Sequence, residues 1–269
     1  MQKKILITGS TDGIGLATAE MLLAKGHHVL LHGRNKEKLE QKEKTLAASI
    51  KDGSIESYIA DLSDLSDVMN LAKAIRAKHE DLDVLINNAG ILKTSSPITK
   101  DGLDVRFVVN TIAPYLLTQQ LLPIIGAKGR VINLSSAAQA SINFNALTGQ
   151  KQLTDMEAYA QSKLALTSWS RSMSLSLTNN GPMIVAVNPG SLLASKMVQE
   201  GFGVAGSDIS KGADILVRAA LSDEFANATG KYFDNDAEEF SAPHADALDA
   251  NKSKKIIDTI ETLLAENLF

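Results

Sequence analysis

Short apolar runs alternate with longer amphipathic segments from residue 3 to about residue 233, and this alternation limits the possible folds more than any other sequence feature. Such alternation is typical of βαβ units. Several runs, such as Ile5-Leu6-Ile7, are apolar on consecutive residues, as strands are when helices cover both faces of a parallel sheet. The pattern predicts an α/β protein. Since no linker or repeat interrupts it, we expect residues 1–269 to form a single domain.

The apolar runs predict strands at residues 4–8, 28–32, 57–60, 84–87, 130–134, 183–188 and 231–233. The amphipathic segments predict helices at residues 15–25, 36–49, 65–78, 103–121, 157–178, 211–221 and 254–266. Two segments depart from the pattern: a glycine-rich one at 201–207 and an acidic one between Phe233 and Pro243. We interpret both as surface loops.

The composition excludes several classes of function. The 27 Lys and Arg against 31 Asp and Glu give a formal net charge of −4, so no positive excess is available to bind nucleic acid or an anionic membrane. The chain has no cysteine, and its five histidines form no HExxH pair, so we expect no metal. The first apolar run is too short for a signal peptide or a membrane span. We therefore expect a cytoplasmic protein without a membrane anchor.

The first predicted strand runs into a glycine-rich turn, Thr8-Gly9-Ser10-Thr11-Asp12-Gly13-Ile14-Gly15, and then into a helix. Such a turn offers free backbone N–H groups and the positive end of the helix dipole to a pyrophosphate. Glycine lets the backbone approach the phosphates closely. The alternative is an ordinary loop with incidental glycines, but the position of the turn in the first βαβ unit favours a dinucleotide site.

The end of the second predicted strand, His32-Gly33-Arg34-Asn35, indicates which dinucleotide is bound. An acidic residue here would bond the adenosine ribose, and this sequence has none. Arg34 is instead placed to bind the 2′-phosphate of NADP, because a guanidinium matches phosphate oxygens in a bidentate pair. Arg34 could also be a solvated arginine at a helix start, but the missing acid favours NADP(H) over NAD(H).

Tyr159 and Lys163 are four residues apart in a predicted helix, which places both on one face. A free phenol has a pKa of about 10, and an ammonium one turn away stabilises the phenolate. A tyrosine whose pKa is lowered in this way can donate or accept a proton near neutral pH. A Tyr and a Lys at this spacing can also be a solvated pair, so other residues must support the interpretation.

Three polar residues add to this pair. The predicted strand 130–134 ends at Ser135-Ser136, at the carboxyl edge of the sheet, where a hydroxyl can bond a substrate carbonyl oxygen. Either serine could instead form only the turn. Asn110 lies inside a predicted helix, where asparagine is unfavourable unless its amide has a partner. It is therefore either a site residue or a satisfied buried amide.

Together these motifs resemble the short-chain dehydrogenase/reductase family. The matching set is Thr8-Gly9-x-x-x-Gly13-x-Gly15, Asn87-Asn88-Ala89-Gly90, Asn110, Ser136, Tyr159-x-x-x-Lys163 and Asn188-Pro189-Gly190, spread over nearly the whole chain to Phe233. The resemblance implies a Rossmann-type doubly wound parallel sheet of seven strands with helices on both faces, and a nicotinamide cofactor. It also implies a possible homodimer through the helices that carry Asn110 and Tyr159.

The resemblance implies a role for each matching residue. Tyr159 would be the general acid/base, and Lys163 would bind the nicotinamide ribose and lower the pKa of the tyrosine. Ser136, the second of the serine pair, would orient the substrate, and Asn110 would hold a water that links Lys163 to solvent. The implied cofactor-binding residues are Gly9, Ser10, Thr11, Asp12, Gly13, Ile14, Gly15, Gly33, Arg34, Asn35, Asp61, Leu62, Asn88, Ala89, Gly90, Tyr159, Lys163, Pro189 and Gly190.

The insert between Ser136 and Tyr159, residues 139–157, resembles that of the retinol-dehydrogenase-like and protochlorophyllide-reductase-like branch, which tends to use NADPH. The threonine that often bonds the carboxamide in the family is replaced by Ala194-Ser195, so Ser195 is a candidate for that contact. We expect the insert and a candidate lid at 201–207 to shape the substrate site. Candidate apolar pocket residues, which could equally be packing, are Phe144, Leu147, Met197 and Phe202.

The sequence thus predicts an NADP(H)-dependent oxidoreductase that transfers a hydride between the nicotinamide and a small or medium carbonyl or alcohol substrate. One alternative is a non-catalytic NADP-binding sensor or interaction protein on the same fold. The intact Ser136, Tyr159 and Lys163 argue against it. A second alternative is an isomerase or epimerase that uses the cofactor transiently, but the larger substrate domain usual after the sheet is missing.

Overall fold

Strands from most of the chain form one sheet. The computed structural model describes residues 1–48, 50, 52–177 and 180–268. Within these residues the strands are β1 (Lys4–Ile7), β2 (His28–Gly33), β3 (Ser54–Ile59), β4 (Val84–Asn87), β5 (Arg130–Leu134), β6 (Met183–Asn188), β7 (Tyr232–Asp234) and β8 (Glu239–Ser241). They lie in the order β3-β2-β1-β4-β5-β6-β7-β8. The order reverses between β1 and β4, which creates a crevice for ligands at the carboxyl ends of these strands.

Helices connect the strands. They are α1 (Gly13–Ala24), α2 (Lys36–Ala47), α3 (Leu65–Lys78), α4 (Val105–Phe107), α5 (Ala113–Ile125), α6 (Phe144–Leu147), α7 (Asp155–Ser176), α8 (Lys196–Phe202), α9 (Ser210–Leu221), α10 (Ala245–Leu248) and α11 (Ala250–Leu268). Asp12 caps α1, and Thr154 forms a capping box with Glu157 at the start of α7. Two predicted helix ends, at Ser49 and Thr178, fall outside the described residues.

Strands β1 to β7 are parallel, which confirms the predicted doubly wound fold, but the sheet has an eighth strand. Strand β8 pairs antiparallel with β7, in a segment predicted as a surface loop, so the sheet has one strand more than the seven predicted. Phe240 of β8 packs on Phe225 and Phe233, with ring centroids 5.2 and 5.1 Å apart. A single apolar residue among acidic ones shows no strand period, so this strand depends on a tertiary contact.

Consecutive residues of each central strand point to opposite faces and enter two different apolar clusters. On one face, Leu6, Leu85 and Val131 pack with residues of α3, α5, α7 and α11. On the other face, Ile7 and Ile86 pack with residues of α1, α2 and α9. Both sides of these strands are therefore buried, which explains their continuous apolar sequence.

Helix α11 packs across the helices that were considered for a homodimer. Ile260 and Leu264 of α11 are buried in the same cluster as Tyr115 of α5 and Trp169 of α7. The Tyr115 hydroxyl donates a hydrogen bond of 2.8 Å to the Glu261 carboxylate. The apolar side chains that α5 and α7 contribute to this cluster are therefore part of the core of a single chain.

The predicted helix at 103–121 is divided in the structure. A π-helical turn over Val108–Ile112 separates α4 from α5, and it contains Asn110. Such turns are frequent at functional sites. By length and composition the stretch Val105–Ile125 could cross a membrane, but 67% of its apolar window is buried inside the protein, as in a core helix.

A buried ion pair joins this region to the start of α7. The Arg106 guanidinium is 2% exposed and donates hydrogen bonds of 2.8 and 2.6 Å to the Asp104 carboxylate. It also pairs with Asp155 in the first turn of α7. Because a buried guanidinium is stable only with its partners, this cluster fixes the N-terminus of α7, one helical turn before Tyr159.

Candidate active site

Hydrogen bonds join the turn after β1 to the loop after β4. The Thr8 hydroxyl accepts from the backbone N–H groups of Asn88 (3.0 Å) and Ala89 (3.1 Å). The Asn88 side-chain amide donates to the carbonyl oxygens of Thr8 (2.8 Å) and Gly9 (3.1 Å). The two loops that flank the reversal of strand order are therefore held as one unit.

Glycines give the turn its shape. Gly9 and Gly13 have φ angles of +66° and +55°, which favour glycine. At Gly15, a Cβ atom would lie against the Asn88 amide and 2.5 Å from the Gly9 carbonyl oxygen. The turn therefore brings bare backbone to the N-terminus of α1, an arrangement that fits a pyrophosphate.

A cavity of about 440 Å³ follows the carboxyl edge of the sheet from the end of β2 to α7. Most of the predicted cofactor residues line it, namely Gly9, Thr11, Asp12, Gly13, Ile14, Gly33, Arg34, Asp61, Leu62, Asn88, Ala89, Gly90, Tyr159, Lys163 and Pro189. The sequence analysis missed other lining residues, among them His32, Lys38, Ala60 and Leu134. Of these, Lys38 had a sequence signal, since it lies one helical turn after Arg34.

The predicted residues Ser10, Gly15, Asn35 and Gly190 support the cavity but do not line it. Ser10 is fully buried, and its hydroxyl accepts from the backbone N–H of His32 at 2.8 Å. The Asn35 side chain caps α2 by accepting from the backbone N–H of Lys38 at 2.7 Å. These residues fix the conformation of the backbone around the cavity. A sequence motif does not distinguish such a residue from one that contacts the ligand.

The end of the cavity near β2 carries positive charge. Arg34 is exposed there, and its guanidinium forms no ion pair or hydrogen bond with the part of the chain that the structure describes. The Lys38 ammonium lies 2.7 Å from the Asp12 carboxylate, and this hydrogen bond lowers the pKa of Asp12. Since Lys38 neutralises Asp12, the Arg34 guanidinium is free to bind an anion.

Helix α7 brings Tyr159 and Lys163 together at the other end of the cavity, as their spacing predicts. The Lys163 ammonium lies 5.7 Å from the centroid of the Tyr159 ring. It donates a hydrogen bond of 2.6 Å to the carbonyl oxygen of Leu134, the last residue of β5. The strand end and the helix are therefore linked directly through the lysine.

The two serines after β5 have different partners. The Ser136 hydroxyl accepts from the backbone N–H of Ala138 at 3.1 Å, and it lies close enough to the Tyr159 phenol to lower its pKa. The Ser135 hydroxyl is buried and lies 2.6 Å from that of Thr167 in α7. The Tyr232 hydroxyl donates to the Ser136 carbonyl oxygen at 3.2 Å and helps to hold that residue in place. Of the two serines, Ser136 is the one that influences the tyrosine, and Ser135 is the one that lines the cavity.

Burial controls the protonation of Tyr159 and Lys163. It raises the pKa of Tyr159, and the nearby Ser136 hydroxyl offsets only part of this effect. It lowers the pKa of Lys163 to about 8. The predicted lowering of the tyrosine pKa by the lysine is therefore not found in the protein alone, because burial destabilises the charged form of both groups.

Asn110 is a satisfied buried amide. Its Oδ1 accepts from the Ile91 N–H at 2.8 Å, and its Nδ2 donates to the Ile91 carbonyl oxygen at 3.0 Å and the Ser162 hydroxyl at 2.9 Å. Asn110 thereby joins the loop after β4 to α7. A Cβ atom at Gly90 would lie 3.4 Å from Asn110 Oδ1 and 3.6 Å from Lys163 Nζ, so this glycine keeps the space between the two groups open.

A short helix, α8, lies beside the cavity and ends inside the segment 201–207 that was predicted as a lid. Ser195 lines the cavity, and its hydroxyl caps α8 by accepting from the Val198 N–H at 3.3 Å. Two backbone hydrogen bonds of 2.7 Å, from Ala194 to Ser207 and from Ser207 to Leu192, close the base of the segment. The Ser195 hydroxyl accepts in the cap and keeps its own hydrogen for donation.

Of the four apolar residues considered for a substrate pocket, Met197 lines the cavity. Leu147 is fully buried in the core, and Phe144 packs against the same core with the Lys255 ammonium 4.1 Å from its ring centroid. These two residues hold the insert 139–157 on the body of the protein. The side chain of Phe202 is outside the described part of the structure.

Known proteins resemble this chain over most of its length. The family model for short chain dehydrogenases matches residues 3–203. Retinol dehydrogenase 13 of Homo sapiens is 31% identical over 265 residues, covering 91% of this chain and 80% of that protein. The chloroplastic short-chain dehydrogenase TIC 32 A of Brassica napus is 30% identical over 251 residues, covering 85% and 78%. A metagenomic short-chain oxidoreductase solved in complex with NADP has a TM-score of 0.62 at 28% identity, covering 82% of this chain and 91% of that one.

The chain therefore belongs to the short-chain dehydrogenase family. Within the family it belongs to the branch of the retinol dehydrogenases and TIC 32, as the sequence motifs indicate. The family consists of oxidoreductases that bind a nicotinamide cofactor, and the glycine turn and cavity described above fit such a group.

Replacing Lys163 with methionine should stabilise the fold near neutral pH. The pKa of about 8 lies below the ordinary value of 10.5, so the unfolded chain binds more protons between these values and the wild type gains stability as the pH rises through them. Lys163→Met removes the cost of a buried charge. After allowance for the lost hydrogen bond to Leu134, we expect it to raise the free energy of unfolding by about 1 to 3 kcal/mol at pH 7.

Urea unfolding of both proteins at pH 7, 9 and 10 measures this difference, which should shrink as the pH rises. Lys128→Met, at an exposed lysine, is the control and should show no such trend. A Lys163→Met protein that is less stable than the wild type at pH 7 would show that the ammonium is well solvated or paired.

Proposed function

We propose that the chain is an NADP(H)-dependent oxidoreductase that transfers a hydride between the nicotinamide and a small or medium carbonyl or alcohol substrate. The observation that carries the proposal is the arrangement along one cavity. The Arg34 guanidinium, which has no partner among the described residues, lies at one end, and Tyr159 and Lys163 lie at the other, with Ser136 beside the tyrosine. The NADP complex of a relative at 28% identity supports the choice of cofactor.

Residues along the cavity would hold the cofactor from end to end. The pyrophosphate would bind the turn at residues 9–15, at the N-terminus of α1, and the 2′-phosphate would bind Arg34. Asp61 would lie beside the adenine, and Gly90 and Pro189 would flank the nicotinamide. When bound, the nicotinamide supplies or accepts the hydride.

The chain's own chemistry is the transfer of one proton. Because burial raises its pKa, Tyr159 is protonated at neutral pH, and its hydroxyl can donate the proton to a carbonyl oxygen as charge develops there. The Ser136 hydroxyl would orient the same oxygen. The Lys163 ammonium would stabilise the phenolate that remains, since opposite charges at this distance attract strongly in a buried site. In the direction of alcohol oxidation, Tyr159 Oη would take the proton back.

Tyr159→Phe should lower kcat by at least about 100-fold, because it removes the proton that the substrate oxygen receives. The Kd for NADPH should stay within about threefold, since the phenyl ring keeps its packing. Tyr115→Phe, at a buried tyrosine outside the cavity, is the matched control and should keep its turnover. Activity near the wild-type level in Tyr159→Phe would remove this residue from the proposed role.

Arg34→Asp should weaken NADPH binding by about 10- to 100-fold, because a carboxylate replaces the cation that pairs with the 2′-phosphate. Binding of NADH, which lacks that phosphate, should be unchanged or improved. Fluorescence titration with each cofactor measures the ratio of the two Kd values. Lys44→Asp, an equal change of charge on the exposed side of α2, is the control. An unchanged ratio in Arg34→Asp would overturn the NADP(H) preference.

A substrate panel tests the class of function itself. Oxidation of NADPH against aldehydes, ketones and quinones, and reduction of NADP⁺ against alcohols, should show turnover with at least one compound. Tight NADPH binding without any turnover would support a non-catalytic sensor. An isomerised product without net oxidation would support an epimerase.

We also propose that the chain is monomeric, because α3 packs on α5 and α11 packs on α7, so the apolar side chains of both helices are already buried within the chain. Size-exclusion chromatography with light scattering should give a mass near 28.7 kDa. A mass twice as large, unchanged on dilution, would show that another face forms a dimer.

A further inference from the structure

His32, the next-to-last residue of β2, has no part in the proton chemistry proposed above. Its side chain is 3% exposed, although it lies at the edge of the cavity. A histidine so deeply buried needs a partner for each ring nitrogen, because an unpaired polar atom is costly away from water.

Both ring nitrogens have such partners. The backbone N–H of Gly9 donates to Nδ1 at 3.1 Å, and Nε2 lies 3.1 Å from the carbonyl oxygen of Ala60. A carbonyl oxygen can only accept, so Nε2 carries the hydrogen and Nδ1 is the acceptor. The contacts therefore define a neutral ring in a single tautomer.

The ring connects two parts of the cavity that are far apart in sequence. Gly9 begins the glycine turn, and Ala60 directly precedes Asp61, which lines the cavity at the end of β3. A second pair of bonds runs beside the ring, since the Ser10 N–H donates to the His32 carbonyl oxygen at 3.0 Å and the Ser10 hydroxyl accepts from the His32 N–H. Backbone and side chain of His32 thus both hold the turn.

Gly9 is the residue that most needs this support. Its φ is +66°, and a Cβ atom there would lie 2.9 Å from Ala89 Cα, so the turn passes close to the loop after β4. In this position the amide hydrogen points to His32 and has that ring as its acceptor. Loss of the acceptor would leave a half-buried N–H unpaired and favour another conformation of the turn.

We propose that His32 is a positioning residue for the cofactor: its Nδ1 atom holds the Gly9 amide and so keeps the glycine turn in the conformation that binds the pyrophosphate. This inference rests on the proposed NADP(H) function. It assigns a role to a residue that touches the turn and not the reacting atoms, so its effect should appear in cofactor affinity and not in the chemical step.

The ring should remain neutral at mildly acidic pH. A second proton would have to bind Nδ1, which already faces an N–H donor. Burial lowers the pKa of His32 to about 4, against the opposing effect of the Asp61 carboxylate. The other charged groups around this part of the cavity are Arg34 and the Lys38–Asp12 pair.

Two substitutions test the Gly9 contact and the Ala60 contact of the ring separately. In His32→Asn, the amide oxygen can take the place of Nδ1 and accept from Gly9, but the side chain is too short to reach Ala60. In His32→Gln, the longer amide can donate to Ala60, and the Gly9 acceptor is lost. The two variants have similar polarity and each keeps one contact, so they control for each other.

We expect His32→Asn to bind NADPH within about threefold of the wild-type Kd, and His32→Gln to bind it about tenfold more weakly, with NADH affected by the same factor. At saturating NADPH, kcat should be equal in all three proteins. Hydrogen exchange of the Gly9 amide, measured without cofactor, should be faster in His32→Gln only. An equal loss of NADPH affinity in both variants, or no loss of affinity in either, would overturn the inference.

The ¹⁵N spectrum of the wild-type imidazole tests the same contact without a substitution, so the result does not depend on the folding of a variant. We expect the Nε2–H tautomer at pH 7 and no protonation at pH 5.5, where a free histidine with a pKa of about 6.5 is mostly charged. An Nδ1–H tautomer would overturn the inference. A wild-type chain that binds neither NADPH nor NADH would overturn the proposed function as well, whereas normal wild-type binding with equal variants overturns only the role of His32.

Discussion

The site depends above all on the hydrogen bonds between Thr8 and Asn88. They join the two loops that leave the sheet where the strand order reverses, and so form the floor of the cavity between β1 and β4. The Thr8 hydroxyl accepts from two backbone N–H groups beside the crevice, those of Asn88 and Ala89. The close packing of Gly15 on Asn88 follows from this join, and the two ends of the cavity, at Arg34 and Tyr159, are positioned relative to it.

The end of the cavity at Tyr159 and Lys163 shows a conflict between stability and the chemistry proposed there. A lysine with a pKa of about 8 is held against its preference for water, and the fold keeps it in place through the Leu134 carbonyl and the packing of α7. The same burial makes an electrostatic effect between Lys163 and a nearby phenolate larger than it would be in water. Perturbed groups of this kind are typical of functional sites, where stability is lost in exchange for reactivity.

Features with a strong local signal could be predicted from the sequence. The seven parallel strands were predicted from continuous apolar runs, and the shared face of Tyr159 and Lys163 from their spacing. Strand β8 could not be predicted, because it depends on the packing of Phe240 and has no period of its own. The rise in the Tyr159 pKa in the protein alone could not be predicted either, since burial is a tertiary property. Nor could a motif tell that Ser10 faces the protein interior while Thr11 faces the cavity.

Helix α11 has a consequence for the order in which the protein can fold. Its buried residues, Ile260 and Leu264 among them, complete a core that begins with Leu6 in the first strand. During synthesis, the apolar side of α7 that packs on α11 stays uncovered until residues 250–268 have left the ribosome, even though every residue that lines the cavity has been translated by then. A nascent chain of this length contains every residue of the cavity but lacks the helix that completes its core. It is most prone to aggregation or chaperone binding in this interval.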